Sequence, residues 1–532
     1  MKVIVAGAGM AGLTAGAYIL RGGHELVILE KSPGYGGLVA SFTRDGFHFD
    51  TGPRAIGNAG ILLPMLEDLG IDLPLVAGEV STGIGDRIVH YDDGAGLDDY
   101  LLSLRHFFPE SGGEINSIAK RIRSCVKMAK TLNRMPNPYF ANVFRNARFF
   151  FKEFLFRLPA FLLTVARMTL ADEPVEKTLR TISSDRRLED MISQHFFKGT
   201  PASFALGYFE NFLDYRYPPG GTARLPEALA GHIRTGGGII RTNTEIMKIH
   251  PAEKRVVDRQ GTSYSYDRLV WCADLNSLYE RTDTAGLSPK VLVSVGKEKK
   301  KFTDAKTGES VFTLFLAVDE KIKTFARLSK GHFIYTPITE GLGDLRGKEM
   351  ERIKADFPNL PKEEIIAWLR EFCRRNTYEI SIPALKDRSL APEGKTGLIV
   401  SLLFDGELFS LVRKTLWYDD FKHEAGEAML DTLEASVYPG LRSKLLFMES
   451  ASPLTLMDRF ATTNGAITGW SMEEKPPVPR SLAGIGSTAK TAIPGVYRAG
   501  QWCYSPSGVP IAILTGKIAA MAIGKAAKSR EK

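Results

Sequence analysis

Gly7, Gly9 and Gly12 stand in the order G-x-G-x-x-G, and theirs is the spacing in this chain that most directly implies chemistry. An apolar, β-prone run at 2–6 precedes them. A helix is predicted from about Ala11 to Arg21, closed by Gly22-Gly23. In that setting Gly7 permits the tight turn, Gly9 lets a pyrophosphate approach the backbone, and Gly12 lets helix and strand pack closely. The phosphates would rest at the helix N-terminus, where free N–H groups and the helix dipole favour anions. A second strand is predicted from Glu25 to Glu30. It ends on an acid 18 residues beyond Gly12, where a carboxylate reaches ribose hydroxyls. An acid there disfavours the 2′-phosphate of NADP and leaves NAD or FAD.

The downstream residues bear on that choice. Gly36-Gly37 follows Glu30-Lys31 after a short loop, and Gly46-Phe47-His48-Phe49-Asp50-Thr51-Gly52-Pro53 reads as a strand running into a turn. Together they resemble the FAD-binding front of the phytoene desaturase-type flavoproteins, a group that includes carotenoid isomerases and retinol saturases. Phe108-Pro109-Glu110 ahead of Gly112-Gly113-Glu114-Ile115 is similar to the isomerase and saturase branch. Tyr217-Pro218-Pro219-Gly220-Gly221, with Leu225 and Leu229, resembles the family's central segment. Gly495-Val496-Tyr497 to Gly500, with Gly508-Val509-Pro510, resembles its C-terminal flavin motif.

The resemblance implies FAD and an α/β fold: a Rossmann-like, amine-oxidase-like FAD-binding domain, a discontinuous α+β substrate domain and a helical lid. The implied FAD-binding domain is 1–75, 222–290 and 488–532. The substrate domain is 76–221 and 291–487, with a helical region at 100–215. The implied cofactor-binding residues are Gly7, Gly9, Met10, Ala11, Gly12, Glu30, Lys31, Gly37, Leu38, Ile246, Gly500, Gln501, Gly508, Val509 and Pro510. The chain departs from the family's pattern at Leu38, where Arg or Ser is frequent, at Gln501, where an acid is usual, and at Pro506-Ser507, where glycine is common. Gln501 can still hydrogen-bond a ribityl or phosphate group, without charge.

Side chains that could act on a substrate are Arg54, directly after the Gly52-Pro53 turn, Tyr217 beside Gly220-Gly221, and Tyr504 near the C-terminal motif. Arg54 could equally be a surface residue, and Trp502 and Tyr504 could wall a flavin or sit in the core. Tyr497 to Ala499 reads as a strand, and Ile511 to Ile523 as a helix that starts near Val509-Pro510 and ends at Gly524. Its positive end would favour a reduced, anionic flavin; the same helix could simply dock on the sheet.

Other chemistries find no support in the sequence. Cys125, Cys272, Cys373 and Cys503 make no CxxC pair and no zinc spacing, which points to a reducing compartment. No nucleophile elbow appears. Gly83-Ile84-Gly85 and Gly484-Ile485-Gly486 lack the helix that a second dinucleotide unit requires. Electrons would therefore be exchanged with a quinone, oxygen or a small carrier, or the flavin would act without net redox change. No metal is expected.

The elements that must position these residues need more than one core. The chain has 532 residues with 44% hydrophobic and 24% charged content, enough for two or three lobes and too ordered for a disordered chain. A net charge of +8 discriminates weakly between partners, and no nucleic acid is expected. Residues 290–335 alternate like sheet strands, 360–376 and 418–436 look helical, and Lys297 to Lys301 reads as a solvated turn. The N-terminus has no room for a signal peptide ahead of its first strand.

Within 140–168, Phe140, Phe144, Phe151, Leu155, Leu158 and Leu162 fall near one helical face, with Arg145, Arg148 and Lys152 beside it and Pro159 breaking or kinking the helix. Such a face lies flat in a headgroup layer or packs as a helical lid, and the two are compatible. The expected function is an FAD-dependent oxidoreductase acting on carbon–carbon bonds of an apolar polyene or isoprenoid, peripheral on the cytoplasmic membrane face. The alternatives are a flavin-dependent amine oxidase and, from another class, a non-enzymatic flavin-binding protein.

Overall fold

The opening apolar run becomes a strand with no solvent face: Val3, Ile4, Val5 and Ala6 are all buried, as the centre of a parallel sheet requires. The computed structural model describes residues 1–91, 96–135, 137–140, 155–170, 173–415 and 417–528. In it, Lys2–Ala6 is flanked by Glu25–Leu29 and Arg268–Trp271, with Ile4 opposite both Val27 and Leu269. Ile239–Arg241 and Val496–Arg498 extend this sheet at its two sides, making five strands with every pair parallel. The expected α/β class is what the chain adopts.

Two helices pack face to face beside this sheet, Met10–Arg21 and Val509–Lys528. They approach so closely that a Cβ on Gly516 would lie 2.5 Å from the carbonyl oxygen of Ala11. The C-terminal helix runs past the predicted stop at Gly524. That glycine has no left-handed backbone, which is what would end a helix there. Among the described residues this is the one helix long and apolar enough to cross a membrane, over Val509–Ala527, and half of that window is buried inside the protein.

A second, mixed sheet of seven strands runs in the order Leu445–Ala451, Ser310–Val318, Thr396–Phe404, Tyr378–Ser381, His332–Thr336, Val80–Ile84, Arg87–His90. Its largest core is on one face, where Leu314, Leu316, Val400 and Leu402 meet the helices Lys362–Arg375 and Tyr418–Ala435. The predicted strand character of 290–303 is not found. Ser288-Pro289 starts a helix, Pro289–Thr303, whose buried residues are Val295 and Phe302. Two β-branched valines near its start, Val291 and Val293, imitate strand alternation, and the sheet resumes only at Ser310. The lysine run Lys297 to Lys301 therefore lies on this helix rather than in a turn.

The region 100–215 is mainly helical where it is described, from Gly96–Phe107 through Gly112–Asn133 to Ala202–Leu213. The predicted amphipathic face divides. Phe140 is buried against Tyr18, with the Lys517 ammonium over both rings. It belongs to the core beside the parallel sheet, because a tight turn at 137–140 folds it back. Leu155 and Leu162 are exposed, with Phe156 and Leu163 beside them. Pro159 stands in the first turn of the helix Leu158–Leu170, where a missing N–H breaks no bond, rather than in a helix interior. Phe144, Arg145, Arg148, Phe151 and Lys152 lie outside the described residues.

Candidate active site

The glycine turn, the loop after Glu30 and the start of the C-terminal helix converge on a cavity of about 390 Å³. Gly7 has a φ of +100°, and a Cβ there would sit 3.1 Å from the Cys272 carbonyl oxygen, so both backbone conformation and space demand glycine. Gly9 is the cap residue of the helix Met10–Arg21 and provides no side-chain cap, and the first turn carries no acid. Its helix N-terminus therefore faces the cavity ready for an anion. Across the gap Gly37, at φ +59°, faces Gly9; a Cβ on Gly37 would come within 3.3 Å of the Gly9 Cα.

Glu30 is buried at the cavity edge, and its carboxylate accepts from the N–H groups of Ala8, at 2.6 Å, and Ser32, at 2.9 Å. It thus shapes the glycine turn besides standing near any ribose. Burial pushes the Lys31 ammonium below its ordinary value, against the pull of Glu245 and Glu30. Glu245 is itself held by Arg259 and Arg281, and Arg281 also donates to the Ile246 carbonyl.

At the opposite end, Gly500, at φ +108°, donates its N–H to Thr515 Oγ1 at 3.0 Å, and the helix Val509–Lys528 begins at the cavity. A second helix N-terminus is thereby aimed into the same space. Trp502 lines it too, packed edge-on against Trp470 at 4.9 Å between centroids.

The seven-stranded sheet supplies the remaining wall. Arg54 is buried; one terminal nitrogen donates to the carbonyls of Asp50, at 2.9 Å, and Gly52, at 2.6 Å, and the other donates to Ser401 Oγ. Ser401 is the cross-strand partner of Glu379 and of Thr313. The Lys386 ammonium donates to the Arg54 carbonyl at 2.6 Å and to Ser381 Oγ at 2.8 Å, and lies 4.6 Å above the Tyr217 ring. Burial drives the Lys386 pKa down to about 7, against the pull of Asp50 and Glu379. Burial opposes ionisation of Glu379, but His332, Arg54 and Lys386 outweigh it and hold its carboxyl well below the usual range.

Of the residues predicted from sequence, Gly7, Gly9, Met10, Ala11, Glu30, Lys31, Gly37, Leu38, Ile246, Gly500, Gln501, Gly508 and Val509 line the cavity, as does Arg54. Four do not. Gly12 stands behind the turn, where a Cβ would strike the Gly7 carbonyl oxygen at 1.9 Å, so its place is in packing. Pro510 is not among the lining positions, which at this helix start are Gly508, Val509 and Ala512. Tyr217 gives its hydroxyl to Asp50 Oδ2 at 2.8 Å, and Tyr504 gives its own to the Arg480 carbonyl at 2.8 Å. Ser401 and Glu379 line the cavity without having been expected there; Lys386 and His332 stand behind them. No local motif marks them: sheet register brings Ser401, Glu379 and His332 together, and the short helix Pro383–Lys386 that follows the strand of Glu379 brings Lys386.

FAD suits this donor set: an uncapped helix end for its phosphates, a second helix start beside them for the flavin, glycines that leave room at the backbone, and an acid and a basic residue near the ribose end. A family model described as flavin containing amine oxidoreductase matches residues 10–524. The chain is 24% identical to prolycopene isomerase 2, chloroplastic, of an Oncidium hybrid cultivar, over 97% of this chain and 82% of that protein. It is 25% identical to the 4,4'-diapophytoene desaturase (4,4'-diaponeurosporene-forming) of Staphylococcus aureus (strain bovine RF122 / ET3-1), over 97% of both. A solved putrescine oxidase bound to putrescine shares the fold, with a TM-score of 0.60 at 13% identity over 98% of each chain. Glycine turn, the uncapped start of the first helix and whole-length match agree: the chain belongs to the flavin containing amine oxidoreductase family and is an FAD-dependent oxidoreductase.

Proposed function

We propose that the protein acts on carbon–carbon bonds of an apolar polyene or isoprenoid, by desaturation, saturation or isomerisation. The observation that carries this reading is likeness along 97% of the chain to two enzymes named for polyenes. The cavity supports it, since Val311, Leu456, Phe460, Ile467 and Trp502 give it apolar walls. Bound FAD supplies two-electron, hydride-type chemistry. In this reading Gly7, Gly9, Met10 and Ala11 hold the pyrophosphate, Glu30 and Lys31 the ribose end, and Ile246 the adenine. Gly37, Leu38, Gly500, Gln501, Gly508 and Val509 surround the flavin. Arg54 fixes the Asp50–Gly52 turn against the sheet, and Trp502 excludes water. The division into an FAD-binding part (1–75, 222–290, 488–532) and a substrate part (76–221, 291–487) follows the two sheets.

Electrons would pass to or from a quinone, oxygen or a small carrier, because the sequence holds one dinucleotide fingerprint. Peripheral attachment to the cytoplasmic membrane face is supported by the exposed Phe156, Leu162 and Leu163, flanked by Arg157 and Arg167. Four free cysteines accord with a reducing compartment.

Lipids extracted from the purified protein and identified by mass should contain a polyene or isoprenoid. Anaerobic bleaching of the flavin by amines, with no polyene bound or converted, would replace this reading with amine oxidation.

A further inference from the structure

Four acids line the cavity, and three are committed elsewhere. Glu30 accepts from backbone N–H groups, Glu245 is held by Arg259 and Arg281, and Asp274 accepts from Asn276, Ser277 and Thr463. Glu379 differs. It sits on an inner strand of the seven-stranded sheet, yet its side chain is 46% exposed, and it lines the cavity. His332 Nε2 lies 2.9 Å from its Oε1, and among the described residues no hydrogen bond engages Oε2. His332 is itself fixed, buried and stacked on the Tyr215 ring at 5.4 Å.

The charged and titratable groups around this carboxylate are His332 on the neighbouring strand, Arg54 from the Gly52 turn, Lys386 from the following helix with Asp50 and Tyr217 behind it, and, from the helical side, His195, Tyr208 and Tyr215. His332, nearest to it, and the two cations together keep it ionised. These groups answer its charge on the sheet side; toward the apolar cavity, where charge is weakly screened, the same carboxylate would further stabilise positive charge on a ligand.

We propose that Glu379, positioned by His332, is the group that meets positive charge developing on the substrate and accepts the proton that the substrate loses. This rests on the proposed reaction at carbon–carbon bonds. In the desaturating direction one carbon loses hydride, with two electrons, to the FAD. The adjacent carbon releases its proton to Glu379 Oε2, and the electron pair of that C–H bond becomes the new double bond. The substrate is oxidised by two electrons and the flavin reduced by two. A carbon beside a cationic centre is a strong acid, so a weak base such as an ionised carboxylate is sufficient. In the saturating direction the same oxygen returns the proton.

The test uses the flavin-loaded protein and two isoprenoids of equal length, one with a tertiary ammonium in place of a branching carbon and one neutral, with binding read from the flavin absorbance. Wild type should bind the ammonium compound at least about tenfold more tightly than the neutral one. Glu379→Gln should lose that preference while binding the neutral compound unchanged. His332→Asn, if His332 positions the carboxylate, should shift the acid limb of the kcat profile and leave the KM for substrate nearly constant. Equal binding of the two compounds by wild type overturns the proposal without recourse to any variant, as does an undiminished preference in Glu379→Gln. If wild type binds neither compound, the polyene reading falls and this inference falls with it.

Discussion

Lys386 offers a test of how the sheet-side cluster is held. Its ammonium is withdrawn from solvent beside Arg54, and its pKa falls from 10.5 to about 7. Each unit of that displacement is worth about 1.4 kcal/mol, so the protonated form carries a penalty on the order of 5 kcal/mol as an upper limit. The two hydrogen bonds from Nζ survive in the charged form and offset part of it. Because the folded-state value lies below the unfolded one, the penalty is present in full below pH 7. It is relieved as pH rises from about 7 towards the unfolded value of 10.5. Lys386→Met removes the titrating group. Denaturation midpoints of wild type and variant, compared at about pH 7.5 and about pH 9.5, should show wild type gaining about 1–3 kcal/mol relative to the variant over that interval. A difference that stays constant, or falls as pH rises, would refute the idea that burial controls this lysine.

Gly12→Ala should leave the purified protein without flavin, since the new methyl meets a backbone carbonyl at 1.9 Å and overpacking of that kind is worth about 1–3 kcal/mol or more; a fully yellow variant would contradict it. Glu30→Ala should speed flavin release and also lower the melting temperature, because the N–H groups of Ala8 and Ser32 lose acceptors worth about 1.5–3 kcal/mol. Gly516→Leu should separate the two helices and lower the melting temperature by the same overpacking, about 1–3 kcal/mol. Replacing Phe156, Leu162 and Leu163 by Ser should reduce salt-resistant cosedimentation with anionic liposomes and leave the melting temperature unchanged, since these side chains are exposed in the protein alone.

What was legible in the sequence is what the chain specifies over short distances. Gly7, Gly9 and Gly12 are dictated by one turn and the helix after it, and Glu30 by the strand that follows, so spacing alone locates them. Gly500 and Val509 mark the same kind of strand-to-helix junction at the other end. The sheet-side wall, apart from Arg54 beside its Gly52-Pro53 turn, was illegible for the opposite reason. Arg54 reaches Ser401 from 347 residues away, and Glu379 meets Ser401 and His332 only through the register of three strands. No period or motif encodes that adjacency. Tyr217 and Tyr504 were visible as aromatic residues beside motifs, but what decides their role is where a buried hydroxyl finds an acceptor, at Asp50 and at Arg480. The helix Pro289–Thr303 imitates a strand in sequence because its first valines satisfy a two-residue period before Phe302 reveals the longer one.

The strand order of the parallel sheet carries a consequence for biosynthesis. Lys2–Ala6 pairs early with Glu25–Leu29, but its other neighbour, Arg268–Trp271, and the strand beyond that, Val496–Arg498, are translated far later. At ribosomal rates of about 5–20 residues per second, close to 500 residues correspond to roughly 25–100 s of waiting. Through that interval the first helix lacks Val509–Lys528, the partner that covers Ala11 and Ala15. Gly500 and Val509 are missing from the cavity for as long. The nascent chain therefore presents an apolar helix face to chaperones for most of its synthesis. The wall that Gly500 and Val509 give the cavity is therefore among the last parts of the site to be made.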